Sequence, residues 1–153
     1  MGKTFFSFVF ERLFKRFGKV KFYLLERNVK LYRPDGSGGF EICPFSEAIA
    51  IEYRIKAKFF NKKNIPMTLD CLSAIFQKGR KKLYEMPIVY PKEIRIPSWE
   101  STISELSSGL RKIDKSDLEA IETSNRVYLL ARLPNNKEYK RLITKESFIT
   151  YLE

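Results

Sequence analysis

The sequence predicts a mostly β protein: 153 residues in a single domain, folded as an antiparallel β-sandwich with an amphipathic helix at its N-terminus. Two patterns lead to this prediction. The stretch IAIEYRIKAKFF, residues 49–60, alternates apolar and polar side chains, as a long strand with one solvated face does. Further β-prone stretches follow at intervals of about a dozen residues with turns between them, which favours an antiparallel sandwich over a parallel sheet.

The first predicted element is a helix over residues 1–19, and the sandwich occupies residues 20–153. When TFFSFVFERLFKRF, residues 4–17, is wound as a helix at about 100° per residue, its apolar side chains gather on one arc. Gly18 fits the C-terminal cap of such a helix. The apolar arc consists of Phe6, Val9, Phe10, Leu13, Phe14 and Phe17, and Phe8 falls among the polar residues Ser7, Glu11, Arg12, Lys15 and Arg16.

The strand over residues 49–60 is predicted to form a hairpin with the segment that follows it. The stretch NKKNIP, residues 61–66, supplies asparagines and a proline for a turn. MTLDCLSAIF, residues 67–76, then favours a returning strand. The side chains expected to face the core from the first strand are Ile49, Ile51, Tyr53, Ile55, Ala57 and Phe59.

Three prolines punctuate the next stretches, KKLYEMPIVYP and KEIRIPSW. Proline cannot donate a hydrogen bond to a strand ladder, so these stretches are predicted to form edge strands or strand ends. ESTISELSSGL, residues 100–110, is predicted to be one more strand.

A short helix is predicted near residues 116–122, where Ser116 and Glu119 have the spacing of a capping box. The last elements are a second hairpin, RVYLLARL against EYKRLI. Pro134 and an asparagine favour a turn between its strands. Its core-facing residues are expected to be Val127, Leu129, Ala131 and Leu133.

The stretch EYRIKAKFFNKKNIPMTLDCLSAIF resembles the strand, asparagine-containing turn, aliphatic-proline and strand pattern of immunoglobulin-like sandwiches. The resemblance is to the water-stress type of late-embryogenesis-abundant proteins in particular, and it covers about residues 46–110. It implies an immunoglobulin-like sandwich, a fold that carries many unrelated binding roles. The Cys, Trp and Cys order of true immunoglobulin domains is absent, because Trp99 follows both cysteines.

The composition argues against catalysis. Histidine, the commonest metal ligand and the usual general base near neutral pH, is absent. Cys43 and Cys71 lack the spacing of a zinc site. We therefore expect no enzyme activity, no metal, no cofactor and no small-molecule substrate. The sequence has no recognisable secretory signal and no window of ~20 apolar residues, so the chain is expected to be cytoplasmic with both thiols free. A peripheral position at a membrane stays open.

The opening segment is the main functional lead. Residues 1–33 carry seven of the eleven net positive charges, and an aromatic face opposite a basic face is typical of an interfacial membrane helix. Three interpretations stay open: the helix packs on the domain's own core, lies on an anionic membrane, or binds a protein partner or a second copy of the chain. Its candidate contact residues are Phe6, Phe10, Arg12, Leu13, Phe14, Lys15, Arg16, Phe17 and Lys19.

Two basic loops offer a further alternative, nucleic-acid binding. A basic surface with nearby aromatic rings can follow phosphates and stack bases, although solvated loops are the commoner meaning of such charge. The residues are Lys62, Lys63, Lys78, Arg80, Lys81 and Lys82, in two loops expected at opposite ends of their strands. The sequence thus favours a non-enzymatic binding module directed at an anionic membrane before a nucleic acid, with a self-associating structural protein as the rival.

Overall fold

The computed structural model describes residues 19–145, which form two antiparallel sheets around one apolar core. A short 3₁₀ turn, Phe45–Glu47, also lies between the second and third strands. In chain order the elements are β1 (Val20–Pro34), β2 (Phe40–Ile42), β3 (Ala50–Asn61), β4 (Met67–Lys78), β5 (Lys81–Pro87), β6 (Glu93–Ile96), β7 (Ser101–Ser107), β8 (Arg111–Lys112), α1 (Lys115–Thr123), β9 (Arg126–Arg132) and β10 (Glu138–Thr144).

The first sheet has the strand order β2-β1-β3-β7, and β8 also pairs with β3. The second has the order β10-β9-β4-β5, and β6 also pairs with β4. β7 and β8 lie one after the other along β3, on the side away from β1. β5 and β6 lie in the same way along β4, on the side away from β9. The proline-punctuated stretches therefore form an edge, as predicted.

The core lies between the sheets and follows the predicted alternation of β3. Five of the six expected side chains, from Ile51 to Phe59, are at most 2% exposed, whereas Ile49 precedes the strand and is 41% exposed. Tyr53 of the first sheet and Phe76 of the second meet edge to face, with ring centroids 5.6 Å apart. This contact joins the two layers through apolar and aromatic burial.

The predicted hairpin of β3 with β4 is wrong, because the two strands belong to different sheets. β3 is already paired on both sides, with β1 along one edge and with β7 and β8 along the other. β4 is buried on both faces from Leu72 to Gln77, with α1 packed against it and β5. The loop of residues 62–66 thus carries the chain from one sheet to the other.

β1, fifteen residues long, was not predicted as a separate strand. It pairs antiparallel with β3 from Val20 opposite Asn61 to Tyr32 opposite Ala50. A bulge between Leu24 and Glu26 shifts the register, and such an extra residue reverses which side chains face the core. The break in alternation explains why the pattern was not recognised.

The C-terminal predictions are mostly confirmed. β9 and β10 form the second hairpin, and Asn136 in its turn has a φ of 61°, the left-handed conformation expected of an asparagine there. The short helix is present as α1, but its cap is Asp114 and not Ser116. The Asp114 carboxylate accepts a hydrogen bond from the Asp117 N–H at 3.1 Å, and this bond lowers the pKa of Asp114.

The predicted N-terminal helix over residues 1–19 lies outside the described residues except for Lys19, which directly precedes β1. Within residues 19–145 no helix has the length and apolar character needed to cross a membrane.

Candidate functional site

One end of the sandwich gathers three loop segments that are distant in the sequence. They are Lys19 at the entry to β1, the loop of residues 62–66 between β3 and β4, and the turn of residues 97–100 between β6 and β7. The antiparallel register brings them together, because Asn61 at the end of β3 lies opposite Val20 at the start of β1. We call this surface the basic end. Its basic side chains are Lys19, Lys21, Lys62 and Lys63, and its 97–100 turn also carries the exposed Glu100.

The buried side chain of Asn61 holds the basic end together. Its Nδ2 atom donates to the Ile65 carbonyl at 2.8 Å and to the Ile96 carbonyl at 3.1 Å. Its Oδ1 atom accepts from the Lys63 N–H at 2.9 Å. The backbone N–H of Asn61 also donates to the Glu100 carbonyl at 2.9 Å. One residue, 0% exposed, therefore fixes the 62–66 loop and the 97–100 turn relative to each other.

The four lysines of the basic end lie close together. The Lys62 N–H donates to the Lys19 carbonyl at 3.0 Å, and the neighbouring Lys21 ammonium lowers the pKa of Lys62. Among the described residues no carboxylate forms a salt bridge with any of the four. Like charges so close repel each other in the free protein, so an anion bound between them would relieve the repulsion.

Two large apolar side chains are exposed beside these lysines. Ile65 in the 62–66 loop is 37% exposed and Trp99 in the 97–100 turn is 50% exposed. The φ of Trp99 is 58°, a left-handed conformation that costs a residue with a Cβ about 1–2 kcal/mol and suits glycine or asparagine better. The chain thus carries a bulky ring where a small residue would be less strained.

The outer face of the first sheet continues this surface. Tyr23, Lys58 and Ile103 lie side by side across β1, β3 and β7, and both Tyr23 and Ile103 are exposed. Exposed aromatic and aliphatic groups therefore extend from the basic end onto the sheet, with a lysine between them.

Farther along the same face, two shallow depressions of about 150 and 300 Å³ share Arg54 and Glu105. Their linings carry both signs of charge, and Arg54 Nε lies 3.4 Å from Glu52 Oε1. Lys56 lies between Glu26 and Glu105 in the strand register. Because these charges offset one another, this region has much less attraction for a charged ligand than the basic end has.

The structure separates the residues predicted for nucleic-acid binding into two groups. Lys62 and Lys63 belong to the basic end, whereas the residues around the β4–β5 turn lie at the opposite end of β4, roughly 36 Å away at about 3.3 Å per residue. Lys82 of that turn forms a salt bridge with Glu85 at 3.0 Å. The second group comprises Lys78, Arg80, Lys81 and Lys82.

Of the nine candidate contacts of the N-terminal segment, only Lys19 is among the described residues, and it belongs to the basic end. Lys21 and Ile65 are not among the contact residues predicted from the sequence. The charge of Lys21 was visible in the sequence, but its proximity to Lys62 follows from the pairing of β1 with β3. For Trp99 the sequence signal is its place among the prolines, where an aromatic ring can line a groove or pack in the core.

Metal-ligating side chains and thiols do not gather at the basic end in the part of the chain that the structure describes. Within residues 19–145 no group of three or more histidine, cysteine, aspartate or glutamate side chains is arranged to hold a metal ion. Both cysteines are free thiols; Cys43 is half-buried against the core and Cys71 is exposed.

No protein-family model matches the chain, and no curated protein matches it. Among solved structures, the crystal structure of a Bordetella pertussis protein named ApaA is similar at 10% sequence identity and a TM-score of 0.35, covering 82% of this chain and 89% of that one. A likeness of this size carries no information about function.

Proposed function

We propose that this protein is a non-enzymatic binding module that associates peripherally with anionic membranes on the cytoplasmic side. The contact is made by the basic end together with the segment of residues 4–17, which immediately precedes it in the chain. The observation that carries the proposal is the gathering of four lysines, without a carboxylate partner among the described residues, around the point where that segment joins β1. We also propose that the two-sheet fold is a sandwich of the immunoglobulin-like type.

The energetics of such a contact are sufficient for reversible binding. Each basic residue near an anionic leaflet contributes about 1 kcal/mol, so the four lysines together supply about 4 kcal/mol, a factor of roughly a thousand in affinity. Each phenylalanine of residues 4–17 that became buried in the bilayer would add about 1.5–3 kcal/mol. The charged contribution is sensitive to salt, because ions screen exposed charges beyond about 10 Å at 0.1 M.

The proposal is tested by flotation of the full chain with vesicles of phosphatidylcholine alone or with phosphatidylserine added, at low and high salt. A variant with glutamine at all four lysines of the basic end is compared with a matched variant at the opposite end. The control replaces the four basic residues Lys78, Arg80, Lys81 and Lys82 with glutamine, so both variants lose the same charge.

We expect salt-sensitive binding to the anionic vesicles, weakened at least 10-fold by the basic-end variant and less than about 3-fold by the control. Equal losses in both variants would mean that net charge, and not this site, determines binding. Absence of binding to any vesicle would refute the proposal. In that case an electrophoretic shift of a single-stranded oligonucleotide would favour the nucleic-acid interpretation, and concentration-dependent light scattering would favour self-association.

A further inference from the structure

We infer that the basic end inserts Trp99 and Ile65 into the interface of an anionic lipid bilayer, so that the sandwich docks end-on. The inference rests on the proposed function and adds to it a defined pair of apolar anchors and an orientation of the domain. It commits to a bilayer as the occupant of this surface.

The first observation is the combination of strain and exposure at Trp99. Its φ of 58° lies in the left-handed region, where a bulky side chain is uncommon, and half of its surface faces solvent. Strained backbone that persists at an exposed position is a reason to look for a role in binding. Indole rings in particular are enriched at membrane–water interfaces, which accommodate both their apolar body and their polar N–H.

The second observation is that Ile65 and Trp99 are held at the same end by one buried side chain. Asn61 binds the carbonyls of Ile65 and Ile96, and its N–H binds the carbonyl of Glu100, the residue after Trp99. Both loops are thus fixed before any contact is made. A preorganised pair of anchors loses less conformational freedom on binding than two mobile loops would.

The third observation is the charge around the anchors. Lys62 and Lys63 precede Ile65 in the same loop, and Lys19 is bonded to that loop through its carbonyl. When the two apolar side chains enter the interface, these ammonium groups reach the depth of the lipid headgroups. A nucleic acid could stack a base on the Trp99 ring, but Ile65 offers no flat ring for stacking, and an exposed aliphatic side chain favours a lipid surface.

The experiment uses the only tryptophan of the chain as its probe. Full-length protein is mixed with phosphatidylcholine–phosphatidylserine vesicles in which part of the phosphatidylcholine carries bromine on its acyl chains, while flotation measures binding in parallel. We expect bound protein to show a blue-shifted emission, quenched by at least a third relative to vesicles without bromine.

Two substitutions and one control complete the test. Trp99→Asn should fold, since asparagine tolerates the left-handed conformation, and it should bind anionic vesicles about 10-fold more weakly. Ile65→Ser should weaken binding at least 3-fold. The control is Ile42→Ser in β2 at the opposite end, where Ile42 is 66% exposed; its affinity should change less than 2-fold.

The outcomes separate this inference from the proposed function. Flotation without quenching of Trp99 would overturn the insertion while leaving peripheral binding intact. Equal effects of Ile65→Ser and Ile42→Ser would also overturn it, because exposed apolar surface in general would then explain the affinity. Absence of flotation would refute both.

Discussion

Asn61→Ala tests directly what holds the basic end together. The wild-type amide satisfies three backbone groups, the carbonyls of Ile65 and Ile96 and the N–H of Lys63, at 2.8, 3.1 and 2.9 Å. Alanine leaves the strand backbone unchanged but cannot replace any of these bonds. The substitution therefore removes the link between the 62–66 loop and the end of β6.

The expected loss of stability follows from the burial of each bond. The bond to Ile96 is buried, and an acceptor left unsatisfied in the interior costs about 1–3 kcal/mol. The bonds to Ile65 and Lys63 are partly buried, so water can replace them and each contributes about 0.5–1 kcal/mol. The free energy of unfolding should fall by about 3 kcal/mol, which lowers the Tm by roughly 6–12 °C in a domain of this size.

Equilibrium unfolding in urea, followed by far-UV circular dichroism, measures the change. Asn28→Ala serves as the control, because Asn28 is exposed on β1 and an exposed surface substitution usually changes stability by less than about 0.5 kcal/mol. If Asn61→Ala lowered the free energy of unfolding no more than Asn28→Ala did, at an unchanged m value, the role assigned to Asn61 would be refuted.

Two further predictions concern residues outside the basic end. Burial raises the pKa of Tyr139 to about 12 from its ordinary 10.0, and its hydroxyl donates to the Val20 carbonyl at 2.8 Å. Because the folded state binds the Tyr139 proton more tightly than the unfolded state does, this side chain stabilises the fold fully below pH 10. About 2–3 kcal/mol of the free energy of unfolding is lost as the pH rises toward 12. Urea unfolding of Tyr139→Phe should not show this loss. Cys71 is exposed and has a left-handed φ of 49°, which asparagine tolerates well and β-branched valine tolerates poorly. Cys71→Asn should therefore raise the free energy of unfolding by about 0.5–1 kcal/mol, and Cys71→Val should lower it by about 1 kcal/mol. Urea midpoints that moved in the same direction for both would contradict the reasoning.

The sequence predicted those parts of the fold whose signals are local. The alternation of β3 and the turn before β10 depend on neighbouring residues, and both were recognised. β1 was missed because its bulge at Leu24 and Glu26 interrupts the alternation. β4 joins the second sheet because distant strands, β1 on one side and β7 and β8 on the other, already pair with β3. The local sequence of β3 and β4 does not indicate these pairings.

The same distinction applies to the candidate site. Lys62 and Lys63 were recognised as a basic loop from their neighbours alone. Their association with Lys19 and Lys21 required the long antiparallel pairing of β1 with β3. Trp99 lies in a local turn in which the Glu100 N–H donates to the Pro97 carbonyl, and the bond from the Asn61 N–H to the Glu100 carbonyl fixes that turn at the basic end. The position of Trp99 in the site is therefore a product of tertiary structure.

The order in which the chain visits the two sheets determines when the protein can fold during its synthesis. β1, β2 and β3 belong to the first sheet, β4, β5 and β6 to the second, β7 and β8 to the first again, and β9 and β10 to the second. One edge of β4 stays open until β9, about fifty residues farther along the chain, has left the ribosome. Domains rich in such distant pairings fold slowly and expose strand edges meanwhile. We therefore expect folding to be completed only once β9 and β10 have been synthesised, and a chain truncated before Arg126 to aggregate.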